Sequence, residues 1–192
     1  YFIIVYQYFL YICNVKIYKM KTKTEKLLKF INVLSWIVFI GLLIKAGTIL
    51  FVYMLSIKNE LAAQNLFGGL DLSEYRNQNF THYSFLVFYK VILFAIEAYI
   101  AFLVTKLLSG LNLKQPFNLS VHLLMKKISY SIFYLWITAI IHNTHTQFIG
   151  LKYNFKMDLF SSDFIFLAAI IFIFAQIVKR GIEIRSENDL TI

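Results

Sequence analysis

Three ionisable residues stand where a chain this greasy should have none. Lys45 interrupts "VLSWIVFIGLLIKAGTILFVYML", and Lys90 and Glu97 punctuate the run that includes "VILFAIEAYIAFLV". A charge held at the centre of a bilayer costs about 2.5–3.5 kcal/mol on insertion scales, so such residues pair, line water or serve a function. Lys90 and Glu97 are seven residues apart and share a helical face. Lys45 and Glu97 each lie about midway along their runs, so antiparallel helices bring them to similar depth. The expectation is a buried Lys45–Glu97 ion pair that fixes helix register, with Lys90 roughly 10 Å further along. A proton or substrate path through the same residues is the working alternative.

A second set of residues could bind a metal such as zinc or copper, or sense pH. His82 precedes the second apolar run, His142 and His145 lie in "HNTH" near the end of the third, and Asp158 and Asp163 flank the start of the fourth. The spacing matches no established zinc motif, and interfacial histidines are common. His122 reads as an interfacial residue. There is no phosphate-binding glycine loop, nucleophile elbow or His-Glu-x-x-His signature, so neither an enzyme nor a cofactor is expected.

The elements that must hold these residues are transmembrane helices. The chain is 59% hydrophobic and 15% charged, against about half and a quarter in soluble domains. The excess sits in four runs, at about 33–55, 84–108, 128–148 and 159–178. The first, 23 residues long, makes roughly 34 Å of helix, enough to span the hydrocarbon. All four should be helical, because backbone groups in lipid must be satisfied within the segment. The fold class expected is therefore all-α, a single membrane bundle of four helices over residues 20–192.

Thirteen lysines and arginines fall before span one, between spans two and three, or after span four, and four fall on the opposite side. That asymmetry predicts cytoplasmic termini. The net charge of +9 comes from these flanks and not from a basic face, so direct nucleic-acid binding is not expected. The one cysteine, Cys13, excludes an intrachain disulfide. Met20, followed by "KTKTEKLLKF", reads as a start codon, with residues 1–19 as upstream translation. Between spans one and two a polar outer loop carries a turn at Gly68-Gly69, and Asp71, Leu72 and Ser73 could begin a short surface helix. In the inner link Pro116 ends what precedes it, and Asn118 or Ser120 can cap the helix into span three.

The last residues, "FAQIVKRGIEIRSENDLTI", continue span four as a short helical extension. Lys179 and Arg180 stand at its lipid boundary, and Glu183 and Glu187 form a like-charge i,i+4 pair. Together with Pro116-Phe117, the ending Glu187, Asn188, Asp189, Leu190, Thr191, Ile192 resembles a bacterial membrane-protein family known as domain of unknown function 2975; Ser186 departs from the acidic residue expected there. The resemblance covers about residues 21–192. It implies a multi-pass protein of the bacterial inner membrane, no established activity, and the company of a small helix-turn-helix regulator.

Three readings follow. In the first the chain acts through contacts with a cytoplasmic or membrane partner, or a second copy, using its tail. In the second it is a small transporter or channel-like bundle built on Lys45, Lys90 and Glu97. In the third it is an outward-facing metal or pH sensor. Only the transporter needs a water-accessible path to Glu97.

Overall fold

The computed structural model describes residues 23–113, 115–154, 159–161 and 164–189. The segment 1–19, Met20, Asp158, Asp163 and Leu190 to Ile192 lie outside them. All the regular secondary structure among the described residues is helical, with four helices long and apolar enough to cross a membrane. These are α1 (Lys23–Lys58), α3 (Phe80–Gly110), α4 (Leu119–Tyr153) and α5 (Ile165–Asp189); a one-and-a-half-turn helix, α2 (Ser73–Gln78), lies between the first two. None of the long helices has a marked polar face, as expected where lipid and not water is the outer solvent.

Side chains at the ends explain the boundaries. The Asn79 carboxamide accepts from the amides of Thr81 at 2.9 Å and His82 at 3.2 Å, which starts α3. Asn118 accepts from Val121 at 2.9 Å and caps α4 as expected. Asn154, in the left-handed conformation, ends it. Hydroxyls inside the helices bond back to their own turn, for example Ser131 to Lys127 O and Thr138 to Tyr134 O, which satisfies them without a partner from another helix.

The long helices pack mainly in chain order: α1 on α3, α3 on α4, α4 on α5. The two flanking helices, α1 and α5, thus leave a gap between them over a floor of α3 and α4. The α4–α5 seam uses small residues and polar bonds. Ala168 and Ala175 are buried, and their carbonyls receive the Ser129 hydroxyl at 2.9 Å and the His122 imidazole at 2.8 Å. His122 is buried in this seam, because Ala175 is small enough for the ring to reach the α5 backbone. Further along, Phe117 lies against Gly181, where an added Cβ would stand 2.9 Å from the ring.

The polar loop between α1 and α3 is a folded cap. A short 3₁₀ turn, Glu60–Gln64, starts on the Asn59 side chain. Gly68 and Gly69 take φ of 57° and 86°, a turn that L side chains strain to adopt. Ala63, Leu66, Leu72 and Tyr75 are buried in one core with Ile49, Tyr83, Leu86 and Ile149 of the long helices. Each large side chain so buried contributes about 1.5–3 kcal/mol. Arg76 bolts the cap down: it pairs with Glu60 at 2.8 Å and donates through Nε to Ser56 O at 3.0 Å. Ser56 in turn shares a 2.6 Å hydrogen bond with buried Tyr83.

The fourth helix begins at Ile165, later than the apolar run starting at 159 suggests. Asn143 of α4 explains the shift. Its amide donates to Phe160 O at 2.7 Å and its carbonyl accepts from Phe160 N at 2.8 Å, taking the backbone groups a helix would need.

Candidate functional site

Two hollows meet the charged residues singled out by sequence, and they separate them. The first is a cavity of about 660 Å³ under the cap, lined by both Lys45 and Lys90, by Asp71 and Glu74 of the cap, and by Phe94 and Phe160. The second is a groove of about 560 Å³ between α1 and α5, and it holds Glu97.

A Lys45–Glu97 contact is not among the ion pairs of the described residues. Lys45 and Glu97 are not within 4.0 Å, and the Lys45 ammonium instead sits 4.1 Å from the Phe94 ring centroid. Phe94 lies one turn before Glu97 on α3 and offers its π-face on the side of the capped cavity, a favourable seat for a desolvated cation. Lys90 is 7% exposed on the cavity floor.

Glu97 is half-buried, and it is the one charged residue among the described residues lining its groove. Ile31, Leu34 and Val38 form the α1 wall, Phe164 and Leu167 the α5 wall, and Val104 part of the floor. The α1 wall residues are exposed, so the groove opens sideways, toward where acyl chains would lie. This is neither a polar cavity reaching a surface nor a carboxylate sealed against a lysine. It is an apolar slot with one ionisable group, a pattern typical of ligand sites of this size.

Of the three histidines, two meet. His82 Nδ1 and His145 Nε2 are 3.1 Å apart, a hydrogen bond that needs one N–H and one lone pair. Protonating both rings would put two cations in contact. His142, though on the same face of α4 as His145, is buried and turns its Nδ1 to the Asn143 carboxamide at 3.0 Å. Tyr89 packs edge-on against both α4 imidazoles. No set of three or more metal-ligating side chains converges among the described residues.

In the tail, Glu187, Asn188 and Asp189 form the last turn of α5. Arg180 sits between the two glutamates, 3.0 Å from Glu183 and 4.0 Å from Glu187, so the like-charge pair is bridged. Lys179 adds a 3.7 Å contact to Glu183. Asn143, His122 and Ser129 were not singled out as working residues. Their signal was present in the polar run "HNTH" and in the seven-residue spacing of His122 and Ser129.

No curated protein and no solved structure matches the chain. Residues 71–192 match the family described as "Protein of unknown function (DUF2975)", a match that begins inside the cap, leaves α1 outside it, and takes in Glu97, both hollows' α3 walls and the tail. The chain therefore belongs to the DUF2975 family of proteins of unknown function.

Proposed function

We propose that this is a multi-pass membrane protein that takes an apolar, positively charged molecule from the bilayer into the groove between α1 and α5, with Glu97 as counter-ion. One observation carries the reading: a lone carboxylate in an otherwise apolar, laterally open groove, with no cation at ion-pair distance among the described residues. A carboxylate left unpaired in an apolar groove is costly, so a cationic partner is favoured there. A lipophilic cation supplies that partner, and its apolar body fills the slot. The lysine and arginine distribution supports termini on the cytoplasmic side of a bacterial inner membrane, with the cap outside.

The test is equilibrium binding of tetraphenylphosphonium to the purified protein in detergent. Saturable binding, lost in Glu97→Gln and weakened by acid, is the expected result. Binding that ignores Glu97, or none at all, would leave the groove as a seat for acyl chains and sink the proposal.

A second reading rests on a different observation. The last helix runs past its apolar part to Asp189 with its charges exposed, a surface suited to a cytoplasmic protein partner such as a small helix-turn-helix regulator, or to a second copy. Crosslinking from the tail in native membranes tests it. Removing residues 187–192 should abolish the product while the membrane part stays folded. A product that persists after removal counts against the tail.

A further inference from the structure

The groove between α1 and α5 is not symmetrical about Glu97. Contacts along α1 and α3 fix their antiparallel register: Asn32 donates to Ser109, Trp36 and Phe39 meet Phe102, and Lys45 sits over Phe94. By that register Glu97 stands at the level of Leu42. The other α1 residues of the groove, from Val38 back to Ile31, all lie on the far side of that level from the cap. At 1.5 Å of rise per residue, Leu42 to Ile31 covers roughly 16 Å. On α3 the groove runs the same way, from Glu97 to Val104. Glu97 thus marks one end of a slot of about 560 Å³ that extends away from the cap.

We infer that the ligand is an end-charged, single-chain amphiphile: an alkylammonium whose head meets Glu97 and whose tail lies along α1, away from the cap. This rests on the proposed function and narrows it from any lipophilic cation to one shape. The head stops at Glu97, because one turn nearer the cap it would meet the Lys45 ammonium seated on Phe94. With the charge at its tip, the whole apolar body is left for the slot. Nothing along the tail's path asks for a second polar group, since the Ser35 hydroxyl is already bonded to Ile31 O at 2.9 Å. With carbon–carbon bonds of about 1.5 Å an extended chain advances about 1.3 Å per methylene, so about a dozen carbons fill the slot. The source is the leaflet on the cap's side, where amphiphiles already point head toward the cap and tail away. Entry through the open side then needs no inversion.

Equilibrium dialysis tests this, with the purified protein in a sugar-headed detergent and protein-free micelles in the facing chamber, so that partition into detergent cancels. The probes are n-alkyltrimethylammonium ions from butyl to hexadecyl. Tetrabutylammonium supplies a similar carbon count around a central charge, and dodecyl sulfonate a matched tail with an anionic head. Affinity should climb roughly two- to four-fold per methylene, level off near dodecyl, and there exceed that of tetrabutylammonium roughly ten-fold or more. Glu97→Gln should lose this binding at every tail length, and dodecyl sulfonate should not compete. Leu34→Trp, on the exposed α1 wall near the far end of the slot, should move the plateau to shorter tails and leave short-tail affinity unchanged. Val104→Phe blocks the same end from the floor and carries the test where Leu34→Trp does not fold.

Binding that needs Glu97 but is as tight for tetrabutylammonium, climbs without a plateau, or keeps its plateau in both blocked variants overturns the end-charged class and leaves the cation site standing. Binding that ignores Glu97, or none by any cation, overturns both.

Discussion

Asn143→Ala removes one side chain and, by the geometry of α4, unseats the start of α5. The Asn143 amide holds both backbone groups of Phe160, at 2.7 and 2.8 Å, in a segment outside any helix. Hydrogen bonds between membrane helices average about 0.6 kcal/mol and reach about 1.7. Two of them, with the Phe160 N–H and C=O left short of partners, put the loss at about 1–3 kcal/mol. The unfolding equilibrium then moves roughly five- to 150-fold. Unfolding in mixed micelles titrated with a denaturing detergent reads that figure, and hydrogen exchange at the Phe160 amide should accelerate with it.

Asn143→Asp is the informative companion. It keeps an acceptor for Phe160 N but sets an oxygen against Phe160 O, so it should rescue little. Phe160 also packs against Phe94 and Phe164, with centroids 6.3 and 6.5 Å away. If Asn143 acts by placing Phe160, the Asn143→Ala and Phe160→Ala losses are less than additive. A loss below about 0.3 kcal/mol with unchanged Phe160 exchange would refute the clamp.

Arg76→Met should loosen the cap, since it severs both the Glu60 pair and the bond to Ser56 O; faster limited proteolysis within residues 59–79, with the helices intact, is the expected reading. Tyr83→Phe deletes the 2.6 Å bond to Ser56 at a fully buried site and should cost about 1 kcal/mol in the same detergent titration. Ala175→Leu forces a large side chain into the α4–α5 seam where Ala175 is 0% exposed, and should cost about 1–3 kcal/mol. His122→Leu should cost less, about 1 kcal/mol, because it loses only the bond to Ala175 O.

The four helices were legible because lipid demands long apolar runs, and such runs need no knowledge of neighbours. Caps were legible too: Asn118 acts locally, and local chemistry can be read from spacing. In the cap between α1 and α3 the Gly68-Gly69 turn and the short helix from Ser73 were legible, but the packing was not. Its polar composition suggested a surface loop, yet Leu66, Leu72 and Tyr75 are buried against residues of α1, α3 and α4 far away in the chain.

The same limit explains the charged residues. Periodicity placed Lys90 and Glu97 on one face, but the intervention of Phe94, which captures Lys45, depends on how α1 rotates against α3. The start of α5 failed for a similar reason, since the apolar run at 159 carries no mark of Asn143 waiting on another helix. The burial of His122 was not legible from its neighbours in sequence, since only the small Ala175 opposite makes room for it.

Glu97 lines an apolar, laterally open groove between α1 and α5, and its access from the hydrocarbon can be read chemically. Carbodiimides of opposite solubility test it most directly, since each forms a stable adduct with an accessible protonated carboxyl. Membranes containing the protein are treated in parallel with an apolar and a water-soluble carbodiimide, and the peptide carrying Glu97 is examined by mass spectrometry. Glu97 should be modified by the apolar reagent, with tetraphenylphosphonium blocking the reaction, and left unmodified by the water-soluble one. Labelling by the water-soluble reagent, or by neither, would contradict this expectation.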